Sequence, residues 1–281
     1  MHQDKAIGMF IGLYIGDALG APLEFIPPHE MKYVLSEMEG GGVHNTKAGE
    51  WTDDGAMAMC IADAYITERN FVPEQVAFNF KTWKKTGHFG TRNYLFDIGR
   101  TCGEAIDKMT MNNPYQGGTA PDKSGNGSIM RLAPIILYNH NRYSNALAQS
   151  IAISLMTHGN TDTVDYITAF ATELFYGEKK EEFDGLRHYQ IKGMSTQGKG
   201  SIMHAYNMAW YCVESTHSFE DAVVMAVNKG HDADTVGAVT GMLAGRKYGY
   251  KGVPQRWREK LVDHDKLVDV AEQLYALGAR G

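Results

Sequence analysis

The chain of 281 residues is 43% hydrophobic, enough to build a sizeable core as one large domain or two small ones. Its 27 Lys and Arg against 33 Asp and Glu leave a formal net charge of −6, without the basic surface needed to bind a phosphate backbone, so nucleic acid is excluded as a primary partner. Three cysteines, Cys60, Cys102 and Cys212, lie far apart with no CxxC spacing. That pattern argues against a disulfide framework or a zinc site and for free thiols in a reducing compartment.

Residues 6–15 form an apolar run after Lys5. A signal peptide or membrane span is not expected, because Asp4 accompanies Lys5, Gly8, Gly12 and Gly16 interrupt the run, and Asp17 ends it. The expected setting is cytoplasmic, with no membrane partner. Gly12, Gly16 and Gly20 recur every four residues, as do Gly237, Gly241, Gly245 and Gly249. This spacing strips one helical stripe of side chains and lets two backbones approach closely. Residues 40–50, with Gly40-Gly41-Gly42, are expected to be a flexible approach to the acidic stretch that follows.

Helical periodicity dominates the remainder. Residues 74–85 follow Pro73, which suits a first helical turn, and put Val76, Phe80 and Trp83 on one face. The polar segment 177–197 is expected to be a solvent-facing loop with a short helix. Ser218-Phe219-Glu220-Asp221 is a capping-box variant that opens a helix through Val227, with Ala222, Met225 and Ala226 turned inward. No Ser/Pro/Gly linker divides the chain, so a single all-α domain over 1–281 is expected.

Two short stretches carry the chemistry: Thr52-Asp53-Asp54 and Asp232-Ala233-Asp234-Thr235. Either alone is equally a helix N-cap, its oxygens accepting from orphan backbone N–H groups. Together they supply six hard oxygen donors, from Thr52, Asp53, Asp54, Asp232, Asp234 and Thr235. Crowded carboxylates repel and raise one another's pKa, so the pair points to compensation by Mg²⁺ or Mn²⁺, which prefer oxygen ligands. Gly125-Asn126-Gly127-Ser128-Ile129-Met130-Arg131 is either a small anion nest ahead of a helix or a turn with a cap. Thr157-His158-Gly159-Asn160 and Phe96-Asp97-Ile98-Gly99 share its density of small and polar residues.

Taken in order, these segments resemble the ADP-ribosylglycohydrolase family, the group that includes dinitrogenase reductase-activating glycohydrolase. The matching elements are Gly16-Asp17-Ala18-Leu19-Gly20-Ala21-Pro22 with Glu24-Phe25, Trp51-Thr52-Asp53-Asp54, Phe96-Asp97-Ile98-Gly99, Gly125 to Arg131 with Pro134, Thr157-His158, and residues 230–249. The resemblance implies an all-helical domain with two Mg²⁺ or Mn²⁺ ions at the base of a cleft, held by the six residues named above. It further implies hydrolysis of the bond between ribose C1 and a protein side chain, most simply arginine, with an ADP-ribosylated protein as substrate and ADP-ribose as product. Serine-linked or O-acetyl ADP-ribose, or non-catalytic binding, are the alternatives.

Carried onto this chain, the resemblance makes Asp97 the carboxylate in proton transfer, with Glu24 as the mobile acid that serves in some members. Gly125, Asn126, Gly127 and Ser128 would cradle the diphosphate, and His158 would sit against phosphate or ribose. Arg131 is expected inside the following helix in a structural ion pair. Two departures stand out: Gly198 to Ser201 lacks the tyrosine of arginine-specific members, leaving Tyr206 or Tyr211 as substitutes, and His231 precedes Asp232 where Gly or Asp is usual.

Overall fold

The apolar N-terminal run folds as helix α1 (Gln3–Gly20), in which every residue from Ala6 to Gly20 is buried. A helix that is apolar on all faces belongs at the centre of a protein or in a membrane. In the computed structural model, which describes residues 1–187 and 200–280, it lies at the centre, with 94% of its most apolar window covered by the rest of the chain. Among the described residues eleven further α-helices follow: α2 (Asp53–Glu68), α3 (Pro73–Thr86), α4 (Arg100–Lys108), α5 (Ala133–Tyr138), α6 (Tyr143–Leu155), α7 (Thr161–Tyr176), α8 (Ile202–Glu214), α9 (Phe219–Val227), α10 (Ala233–Tyr248), α11 (Gln255–Lys260) and α12 (His264–Arg280). Among the described residues the only β-type pairings are isolated bridges. The fold is all-α, as expected.

The glycine stripes meet. α1 and α10 run antiparallel with Gly12 against Gly241 and Gly16 against Gly237, so close that a Cβ added to Gly12 would lie 2.1 Å from the Gly241 carbonyl oxygen. A Cβ on Gly16 would lie 2.0 Å from that of Gly237. Gly8 joins the seam opposite Gly245, whereas Gly249 lies beyond the helix as its cap, with φ +81°. The seam brings the C-terminal end of α1 to the N-terminal end of α10.

α3 starts at Pro73 and buries Val76, Phe80 and Trp83. α9 is capped by the Ser218 hydroxyl, which accepts from the Asp221 N–H at 3.0 Å. Ala222 and Ala226 are buried there, but Met225 is only half-buried.

Residues 40–50 differ from expectation. The Gly41 and Thr46 backbones exchange hydrogen bonds of 2.8 and 2.9 Å, and Arg92 pins the turn by donating to the His44 and Asn45 carbonyls and to Glu50 Oε2. Glycine here allows a tight closure rather than a loose approach. In the polar segment, Glu181–Leu186 forms a 3₁₀ turn with its acidic residues exposed; residues 188–197 lie outside the described residues.

Candidate active site

Both acidic stretches begin helices, α2 and α10, but neither caps its own helix with a side chain. Asp17, at the end of α1, takes over that role for α2: its carboxylate accepts from the Thr52 N–H at 2.9 and 3.1 Å and from the Gly55 N–H at 2.9 Å. Thr52 is thereby free to donate its hydroxyl to Asp234 Oδ2 at 3.4 Å, and Thr235 donates to Asp54 Oδ1 at 3.3 Å. The N-cap residues Thr52 and Asp232 therefore do not cap, although Asp234 Oδ1 accepts from the Thr235 N–H at 2.8 Å in the first turn of α10. The two stretches face one another across the seam.

Carboxylate oxygens of Asp53, Asp54 and Asp234 lie within 4.8 Å of one another, as do those of Glu24, Asp232 and Asp234. Asp54 Oδ2 is buried with no hydrogen-bond partner. An orphaned carboxylate oxygen among buried acids is costly unless a cation meets it, and an all-oxygen donor set suits Mg²⁺ or Mn²⁺. The buried acidic groups therefore fit a divalent metal. Burial first, then the neighbouring carboxylates, push Asp54 and Asp234 well above the usual carboxylate range. Asp232 is pushed up to about 6 by burial, although Asn126 Nδ2 donates to its Oδ2 at 2.5 Å.

Asp97 stands beside this group on the segment before α4. With no cation bound, burial and the charges of Asp53 and Glu24 push it up to about 10, and it shares a hydrogen bond with Asp53. Asp53 in turn accepts from the Gly99 N–H at 3.2 Å.

The sequence reading missed His44. The pinned turn presents its Nε2 2.6 Å from Glu24 Oε2 and 3.6 Å from Asp97 Oδ2, with the ring edge-on to Phe96 at 5.7 Å. The hydrogen bond to Glu24 raises the His44 pKa. A lone histidine after a glycine run carries no signal of this kind; only the closure of the turn brings it to the acids.

The remaining candidates line or support a cleft of about 610 Å³ whose walls include Glu24, Asp53, Asp97, Gly125, Asn126, Gly127, His158, Asp232, Asp234 and Thr235. Gly127 has no room for a side chain, since a Cβ would come 2.6 Å from Cys102 Sγ and 3.0 Å from His158 Cε1. Ser128 departs from expectation: it is wholly buried behind the loop, its hydroxyl unpartnered, and it does not line the cleft. His158 pairs its Nδ1 with the Thr157 hydroxyl at 2.8 Å, and burial followed by the nearby Arg131 charge lowers its pKa to about 3. The imidazole is therefore neutral.

Arg131 also departs from expectation. It sits in a 3₁₀ turn ahead of α5 and makes no ion pair among its hydrogen-bond partners, which are the Gly127 carbonyl at 2.8 Å, the Ile153 carbonyl at 3.0 Å and Thr157 Oγ1 at 2.7 Å. Its guanidinium lies 5.1 Å over the Phe80 ring. Neutral oxygens, with Met57 Sδ and Cys102 Sγ each 3.7 Å from Nη1, receive the terminal nitrogens while Nε is left without a partner, and the guanidinium ties the glycine loop to the Thr157-His158 pair. Of the substitute tyrosines, Tyr206 is buried with its hydroxyl on Glu173 at 2.8 Å, and Tyr211 does not line the cleft. His231 does line it, with φ +61°. Gly198 and Lys199 lie outside the described residues.

An all-helical protein with buried acids from two helix starts at the base of a polar cleft is built for metal-assisted hydrolysis or binding of a polar ligand. The chain belongs to the ADP-ribosylglycohydrolase family, whose model matches residues 1–281. It is 32% identical to the ADP-ribosylarginine hydrolase Tri1 of Pseudomonas putida (strain GB-1), over 97% of this chain and 78% of that protein. It is 28% identical to the ADP-ribosyl-[dinitrogen reductase] glycohydrolase of Rhodospirillum rubrum, over 92% of this chain and 90% of that one. A solved structure, an ADP-ribosylglycohydrolase-related protein complex, superposes with a TM-score of 0.83 at 30% identity, covering 98% of each chain.

Proposed function

We propose that the protein removes ADP-ribose from ADP-ribosylated arginine side chains, using two Mg²⁺ or Mn²⁺ ions held by Thr52, Asp53, Asp54, Asp232, Asp234 and Thr235. The observation that carries this reading is the meeting of the two acidic stretches, through the Thr52–Asp234 and Thr235–Asp54 contacts, beside the carboxyls of Asp97 and Glu24, which His44 bridges. Relatives named as arginine hydrolases support the choice of linkage.

Cleavage at ribose C1 builds oxocarbenium character on the sugar and returns the bonding electron pair to the guanidinium, which departs as a neutral, basic guanidine. Bound cations would supply charge neutralisation and orientation of ribose hydroxyls. Asp97 is the carboxyl assigned to give a proton to the leaving guanidine nitrogen. Glu24, anchored by His44, is the carboxylate available to take the proton of the attacking water. Gly125, Asn126 and Gly127 would receive the diphosphate, with neutral His158 behind them as a hydrogen-bonding group rather than a charge.

The test is to incubate the protein with arginine-, serine- and O-acetyl-linked ADP-ribose, with and without Mg²⁺ or Mn²⁺, and identify products. Release of ADP-ribose from the arginine linkage only with cation is expected. Formation of AMP would instead mean phosphoester hydrolysis, and a clear preference for the serine linkage would move the substrate assignment.

A further inference from the structure

Phe25 combines two unfavourable features at one point. Its φ of +62° is a backbone conformation that bulky residues rarely adopt, and its side chain is 65% exposed although apolar. Such strain persists only where surroundings enforce it. They do so here: the Phe25 N–H donates to the His231 carbonyl at 2.5 Å, and the His231 N–H donates to the Ile26 carbonyl at 2.9 Å. His231, itself at positive φ, leads into Asp232, and Phe25 follows Glu24, so the interlock fixes both carboxylates and holds the phenyl ring on the cleft wall. The ring lies 6.5 Å from that of His44. Phe96, edge-on to the same His44 ring, carries a guanidinium, that of Arg92, 4.3 Å over its face. Tyr206 and Tyr211 are unavailable to the cleft, as described above.

We infer that Phe25 is the specificity-determining residue for the modified side chain, its ring stacking on the substrate guanidinium beside Glu24. The inference rests on the proposed arginine linkage. A cation resting on an aromatic face while carboxylates stand alongside is a favourable environment for guanidinium and gives nothing comparable to a serine hydroxyl. The ring offers no proton donor or acceptor for the bond being broken, so its contribution is to binding.

The test compares wild type with Phe25→Ala, Phe25→Leu and Phe25→Trp on arginine-linked ADP-ribose in Mg²⁺, with the affinity for free ADP-ribose measured by calorimetry. Phe25→Ala should raise KM by about 2- to 30-fold with kcat within about threefold, the size of one cation–π contact. Leucine, apolar but without a π face, should behave like alanine, and tryptophan should restore KM. Affinity for free ADP-ribose should stay within about twofold in all. Unchanged KM in Phe25→Ala, full retention by leucine, or a parallel loss of ADP-ribose affinity each overturns the inference while leaving the arginine reading intact. No release of ADP-ribose from the arginine linkage by wild type removes both.

Discussion

Asp97 illustrates how much a residue's role depends on neighbours that are remote in the chain. Its local setting, Phe-Asp-Ile-Gly, is compatible with an ordinary turn, yet burial beside Asp53 and Glu24 raises its pKa and makes it the candidate proton donor. Asp97→Asn keeps the shape and removes the transferable proton. Turnover should fall about 10²-fold or more while ADP-ribose binding is retained, measured by single-turnover kinetics alongside calorimetry. A near-normal Asp97→Asn with an inactive Glu24→Gln would transfer the acid role to Glu24. The residues that composed motifs, Asp53, Asp54, Asp232 and Asp234, were legible in the sequence because two acidic stretches are improbable without a shared purpose. His44 and Phe25 were not, since their importance lies in a closed turn and a backbone angle. Arg131 was misjudged because a buried arginine is ordinarily matched with a carboxylate, whereas this one gives its terminal nitrogens to three neutral oxygens and lies over an aromatic face.

At the scale of elements, the α1–α10 seam was foreseeable from glycine spacing alone, because a stripe without side chains has little use except close approach. What spacing could not supply was the pairing in register or its direction, which place Asp17 next to α2 and Asp234 opposite it. Gly241→Ala tests the seam. The added carbon would face the Gly12 carbonyl at van der Waals overlap, and both atoms belong to backbones within long helices, so neither can step aside cheaply. Overpacking of this kind costs about 1–3 kcal/mol and can cost more, so chemical denaturation should show a lowered midpoint with an unchanged slope. A midpoint indistinguishable from wild type would mean that the helices can separate without penalty. Boundaries of short pieces were the least legible: the stretch after Gly127 is a 3₁₀ turn before a helix of only six residues.

For the whole molecule, the buried acids link stability to pH and metal. Asp232 and Asp97 have folded pKa values raised to about 6 and about 10, above the usual carboxylate value. Without metal the folded state therefore binds more protons than the unfolded chain, and stability falls as pH rises from about 4 through these values. Thermal melts in chelator should show Tm dropping between about pH 5 and pH 8. Cation binding to the folded state reverses this, contributing about 2.7 kcal/mol at a hundredfold excess over Kd. Mg²⁺ should thus raise Tm most at the alkaline end, and Asp234→Ala should abolish that rise. A Tm in chelator that is flat or climbs with pH would contradict the raised values.

The contact between Thr52 and Asp234 joins residues 182 positions apart. On a ribosome adding about 5–20 residues per second, the second half of the site emerges roughly 10 to 40 s after the first. Throughout that interval α1 has no glycine partner, and its most apolar stretch must be shielded by something other than α10. The two acidic stretches can therefore come together only late in the chain's biogenesis, once the tenth helix has arrived to cover α1.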